Sequence, residues 1–107
     1  MRKIEQNMNR AILNNENWHV DNTRVWYDPE TSTSYVYLHH NKIAEVGNTE
    51  FRLFDGGHQT QTTKSRLNAI LDQFGKVGEG VFQKNWNWFF RCGNGEEIPF
   101  QSGMLLE

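Results

Sequence analysis

Several things are scarce in this chain, and each scarcity excludes something. There is one cysteine, Cys92, among 107 residues, so no internal disulfide holds the fold. No apolar run approaches the roughly 18 residues that a membrane-spanning helix needs. The opening MRKIEQNMNRAIL has charges but no continuous apolar segment, so it does not read as a secretion signal. With a lone cysteine, that points to a reducing intracellular compartment. Basic residues are not in excess. Eleven Lys and Arg face thirteen Asp and Glu, a formal net charge of −2. A binder of nucleic acid without sequence preference ordinarily carries a basic surplus, so nucleic acid is not the expected partner. The G-x-x-x-x-G-K-[ST] phosphate loop is missing, which argues against an NTPase, and no cofactor motif is present.

What the chain does have is aromatic bulk in a polar background. Aromatics make up 13% of residues, with four tryptophans, while the mean hydropathy is −0.77. Large rings give a small domain much buried area from few positions. A length of 107 residues suits one domain.

Residues 2–14 read as a helix, with Ile4, Met8, Ala11 and Ile12 on one stripe. Four strands are expected next, at 23–28, 34–39, 42–46 and 49–54. HHN (39–41) and GN (47–48) form tight connections between them, and Asn41 is the residue expected at positive φ. A second helix follows, capped by Thr62 or Thr63. Leu67, Ile70, Leu71 and Phe74 face inward, and Gly75 ends it. VFQKNWNWFFRC (81–92) reads as one strand with Trp86, Trp88 and Phe90 on a shared face. GNG (93–95) turns it onto 96–100, where Pro99 suits an edge. Met104, Leu105 and Leu106 either dock back or meet another subunit. The expected fold is α+β: an antiparallel meander of six to seven strands packed with two helices, in a single domain over 1–107.

The segment DGGHQTQTTKSRLNAIL (55–71) carries the sharpest chemical signal. A helix start is the positive end of the helix dipole, yet Lys64 and Arg66 sit there. Solvated positions explain this cheaply. An anion site explains it too. Gly57 would let a ligand approach the backbone, Thr60, Thr62 and Thr63 would donate hydroxyls, and Lys64 and Arg66 would supply charge. Phe82 or Trp88 would face a base, with Arg24, Arg52 and Arg91 further out. Trp86 and Trp88 are either core or a stacking surface. Asp55 beside two glycines reads as a turn-former. His19, His39, His40 and His58 do not recur at metal-ligand spacing, so no metal is expected. No nucleophile–base pair stands out, so an enzyme is not expected.

YLHHNKIAEV, FDGGHQTQTTKSRLNAIL and VFQKNWNWF, together with RKIEQNMNRAI and NTRV, resemble small accessory proteins of tailed phages over most of the chain. The most specific part is G-G-x-x-T-x-T-T-K-x-R-x-N at Gly56–Asn68. The resemblance implies a protein of the infected bacterial cytoplasm that acts on host defence or host enzymes by binding. A looser likeness is to the Thoeris anti-defence sponges, which sequester cyclic ADP-ribose-type signals in oligomeric pockets lined by arginine and aromatics. It rests on size, element order and residue inventory, and transfers no residue roles. It implies a homo-oligomer holding a phosphate-bearing ligand. The competing expectation is a protein inhibitor of a host target, built on a Trp/Tyr/Arg hot spot.

Overall fold

The computed structural model of the chain describes residues 1–106. Two helices and nine strands follow in the order α1 (Lys3–Leu13), β1 (Trp18–Val20), β2 (Thr23–Asp28), β3 (Thr33–Leu38), β4 (Asn41–Gly47), β5 (Phe51–Leu53), α2 (Gln61–Phe74), β6 (Gly80–Lys84), β7 (Asn87–Arg91), β8 (Glu97–Pro99) and β9 (Met104–Leu106). The fold is α+β and antiparallel throughout, but the strands form two sheets rather than one meander. Six strands pair in the order β1-β2-β3-β4-β5-β9, and three in the order β6-β7-β8.

The large sheet has one buried face. Val25, Val36, Leu38, Ile43, Ala44 and Leu53 are buried there with Met8, Ala11 and Ile12 of α1 and Leu67, Ile70 and Leu71 of α2. Alternation along each strand leaves the other face to Arg24, Trp26, Tyr35 and Tyr37. The small sheet buries Val81, Trp88 and Phe90 in the same core as the α2 stripe, and one side chain of α2 also bonds its edge. Asn68 accepts a hydrogen bond from the Val81 N–H (2.7 Å) and donates to the Val81 carbonyl (2.9 Å). The amide thus satisfies the free edge of β6 as a neighbouring strand would.

Three local expectations are corrected. The expected strand 81–92 is a hairpin. Asn85 and Trp86 both have positive φ, 51° and 69°, and they turn β6 back onto β7 with Lys84 opposite Asn87. Trp86 is therefore 90% exposed at the tip, while Trp88 and Phe90 are buried. The cap of α2 is Thr60, not Thr62 or Thr63. Its Oγ1 accepts from the Thr63 N–H at 3.1 Å, and the helix starts two or three residues earlier than expected. The β3–β4 turn is His39-His40, with φ of 51° and 69°, and Asn41 already belongs to β4. The tail does dock back: β9 pairs with β5, Phe51 opposite Leu106. β1, absent from the expected list, pairs with β2 as Trp18–Val25 and His19–Arg24.

Candidate functional site

The residues expected to form one anion site are dispersed. A cavity of about 110 Å³ lies at the start of α2, lined by Gly56, His58, Thr60 and Thr63 beside Leu38, His39, Asn41, Ile43 and Asp55. It is well below the several hundred Å³ of a typical ligand pocket. Gly57, Thr62 and Lys64 do not line it. The Gly57 N–H donates instead to Asp55 Oδ1 at 2.8 Å, so Asp55 makes the turn. Thr60 and Thr63 bond each other, Oγ1 to Oγ1, at 2.9 Å. Lys64 is on the first turn of α2 and makes no ion pair among the described residues.

Arg66 is corrected most strongly. It is 3% exposed, not a solvated cation. Its Nη1 meets Glu5 Oε2 of α1 at 2.8 Å, and its Nε donates to Thr23 Oγ1 of β2 at 3.0 Å. Glu5 also accepts from Ser65 Oγ at 2.6 Å. Position 66 adjoins the Leu67/Ile70 stripe and looks into the junction of both helices with β2, where a guanidinium stays buried only because a carboxylate meets it. Trp88 is in the core, edge-on to Phe100 with centroids 5.3 Å apart. Phe82 is on the outer face of the small sheet, stacked on Phe89 at 5.7 Å, with Arg91 4.9 Å over its ring. Neither ring lines the cavity at the helix start.

A larger cavity, about 460 Å³, opens between the β1–β2 and β3–β4 turns. Its walls are His19, Asp21, Asn22, Arg24, Tyr37, His39 and His40. The sheet register builds the floor. His19 is opposite Arg24, Arg24 opposite Tyr37, and Tyr37 opposite Lys42. Directly opposed residues project to the same face, so four strands carry one cationic–aromatic row. At its far end, Lys42 is bound to Glu45 and lies 4.6 Å over Phe54. Arg24 is different. It sits 5.5 Å over the Tyr37 ring and makes no ion pair among the described residues. Its fork of N–H donors is free for a carboxylate or phosphate.

The two turns that flank this floor are tied together. The His39 N–H donates to the Asn22 carbonyl at 2.9 Å. Asn22 Oδ1 accepts from Thr23 Oγ1 at 2.8 Å and from Arg66 Nη2 at 3.4 Å. The amide oxygen of Asn22 is thereby engaged inward. So Arg66, expected to touch a ligand, instead braces the wall of the cavity. Asp21, His39 and His40 all have positive φ, a conformation costing about 1–2 kcal/mol for a residue with a side chain. Glycine is usual in such hairpin turns. Strain held at a cavity rim is a recurrent mark of function.

Among the described residues, no three His, Cys, Asp or Glu side chains converge as a metal site requires, and no helix is long and apolar enough to cross a membrane. Cys92 is half-buried. Sequence reasoning named Arg24 only as an outer charge and weighed the histidines only as metal ligands. The available signal was the HH pair in a hairpin turn where Asn-Gly is common.

Fold and cavity together define a small, helix-backed antiparallel domain whose open sheet face presents, on an aromatic ring, an arginine with no ion pair among the described residues. The chain belongs to the Kyanoviridae Gp96 protein family, a family of phage proteins whose model it matches over residues 1–107. No curated protein and no solved structure matches it.

Proposed function

We propose that this phage protein captures a phosphate-bearing, nucleotide-type molecule without cleaving it, and so sequesters a signal used in host defence. The observation that carries the reading is Arg24. It is a guanidinium with no ion pair among the described residues, held over Tyr37 in a cavity of about 460 Å³, a volume within the range of small-ligand sites. The guanidinium would take the phosphate bidentately. His19, His39, His40 and Asn22 add donors around it, and Tyr37 offers ring area for a base. The ligand site moves from the start of α2 to the two turns beside it, with Arg66 supporting from below. Membership of a phage family supports an action inside the infected bacterium, and capture of a host signal is the role this chemistry suits.

The test is thermal unfolding against a panel of cyclic nucleotides and cyclic ADP-ribose isomers. A ligand at 100 times its Kd adds about 2.7 kcal/mol of apparent stability. One member of the panel is expected to raise Tm for the wild type and not for Arg24→Ala, and to be recovered intact after the protein is denatured. A flat panel, an equal shift in Arg24→Ala, or recovery of a hydrolysed product would each overturn the reading.

A further inference from the structure

The open face of the large sheet carries a second row beside the one that floors the cavity. Trp26 is opposite Tyr35, Tyr35 opposite Glu45, and Glu45 opposite Arg52. All four therefore project to the face that bears Arg24 and Tyr37, while both helices pack on the other face. Trp26 and Arg24 are two residues apart on β2, a separation of about 7 Å along a strand. The cavity lies on one side of Arg24, toward the two turns, and Trp26 lies on the other.

The indole of Trp26 is 38% exposed. One side of it leans on Tyr35, with centroids 5.6 Å apart and planes at 32°. Such a cross-strand pair stabilises a sheet, yet it leaves much of the ring in water at a position where threonine would suit the strand as well.

Charge on this face is mostly engaged. Lys42 is bound to Glu45. Arg52 pairs with Glu50 at 3.4 Å and donates from Nη1 to the Gly103 carbonyl at 3.0 Å. Asp28, further along β2, accepts from the Glu30 N–H at 3.0 Å. Arg24 makes no ion pair among the described residues, and one guanidinium takes one phosphate bidentately. It has a cavity of about 460 Å³ on one side and an exposed indole on the other.

The geometry points to a dinucleotide as the ligand: two nucleosides joined through phosphate, with the bridge on Arg24, one base in the cavity beside Tyr37, and the second base stacked on Trp26. The inference rests on the reading of Arg24 as the phosphate contact and adds the ligand's second half. A mononucleotide held at Arg24 and in the cavity leaves the indole bare, whereas a dinucleotide covers both. Stacking on an aromatic ring tolerates any base, so Trp26 supplies affinity for a second base. Choice among bases belongs to the cavity, where the Asp21 carboxylate suits a base amine or a ribose hydroxyl.

Calorimetric titration of the full chain tests it. The probes are AMP and GMP, the linear and cyclic dinucleotides of adenine and guanine, and a single-stranded RNA oligonucleotide of the same bases. At least one dinucleotide is expected to bind roughly five- to a hundredfold tighter than its mononucleotide, the effect of stacking one more base. Trp26→Thr should fold, cancel that gain and leave the mononucleotide affinity unchanged. Trp26→Phe keeps a ring on Tyr35 and should retain much of the gain. Arg24→Ala should weaken mononucleotide and dinucleotide alike. Preference for a linear dinucleotide marks a fragment of a nucleic acid strand as the source, and preference for a cyclic one marks a signalling ring; either supports the proposal. A mononucleotide that binds through Arg24 as tightly as every dinucleotide overturns this inference alone. So does a Trp26→Thr protein that loses both ligands equally, because Trp26 is then only a structural partner of Tyr35. So does RNA that binds tighter than every dinucleotide, because the face is then a platform for single strands. Absence of binding by every probe overturns it too, and a flat thermal panel beside that result removes the capture reading as well.

Discussion

The two hairpin tips at 39–40 and 85–86 have nearly the same backbone. Each places two consecutive non-glycine residues at φ near 51° and 69°. They differ in what holds them. The His39-His40 tip is tied to Asn22, and Asn22 is tied to Thr23 and to the buried Glu5–Arg66 pair. The Asn85-Trp86 tip has one side-chain tether, from Asn87 Nδ2 to the Asn85 carbonyl at 3.2 Å. Equal strain therefore has unequal support. The braced tip forms a wall of a cavity, which requires fixed atoms. The free tip presents one large ring, which requires only reach.

Cutting the brace should give the largest effect. Arg66→Ala leaves Glu5 buried without its partner, a loss on the order of 3–5 kcal/mol, measured by urea unfolding. The matching change at the free tip, Asn87→Ala, should cost well under 1 kcal/mol, as surface changes usually do. If the two losses are equal, the brace does not exist. Arg24→Ala is expected to leave the unfolding midpoint near wild type while weakening the stabilising nucleotide roughly ten- to a hundredfold, the equivalent of a charged hydrogen bond; calorimetric titration reads it.

Relief of strain comes next. Glycine at either tip, His40→Gly or Trp86→Gly, should raise stability by about 1 kcal/mol. Only His40→Gly should weaken ligand binding. If both glycine variants bind as wild type does, the strained turn plays no part in the site. The smallest effect belongs to Lys64→Glu. Reversing a charge on the first turn of α2 should stabilise the protein by about 0.3–1 kcal/mol, seen as a small rise in Tm that shrinks with added salt.

Much of the fold was legible in the chain. β2 matched residue for residue, and α1, β3, β4 and β5 fell within a few positions, because each has a strong apolar period and a clear turn behind it. The stripe Leu67, Ile70, Leu71 is buried as its spacing requires. β1 was missed because Trp18-His19-Val20 is too short and mixed to show a period. The β6–β7 hairpin was missed because Asn-Trp is not a standard turn pair, and NWNWFF alternates well enough to pass for one strand. Of the site, the histidine turn was visible but its meaning was not. A cavity between two turns depends on which strands pair, and pairing of β1 with β2 sets His19 beside Arg24. Arg66 misled for a related reason. Its partner Glu5 is sixty-one residues away in sequence, so a helix-start rule saw a misplaced cation where the fold has a buried pair.

The pairing of β9 with β5 sets a schedule for synthesis. Arg52 lies opposite Leu105, and α2 and the whole three-stranded sheet are made between them. While the chain emerges from the ribosome, β1 to β5 can zip together in order through short turns. The edge at β5 nevertheless stays open until roughly fifty further residues have followed, and closing so long a loop is slow. During that interval the nascent protein exposes a bare strand edge, the kind of surface that pairs with other chains. Joining β9 covers β5 and passes the open edge to the three residues Met104–Leu106, so the edge that the newly made protein finally presents to its neighbours is set by the strand made after all the others.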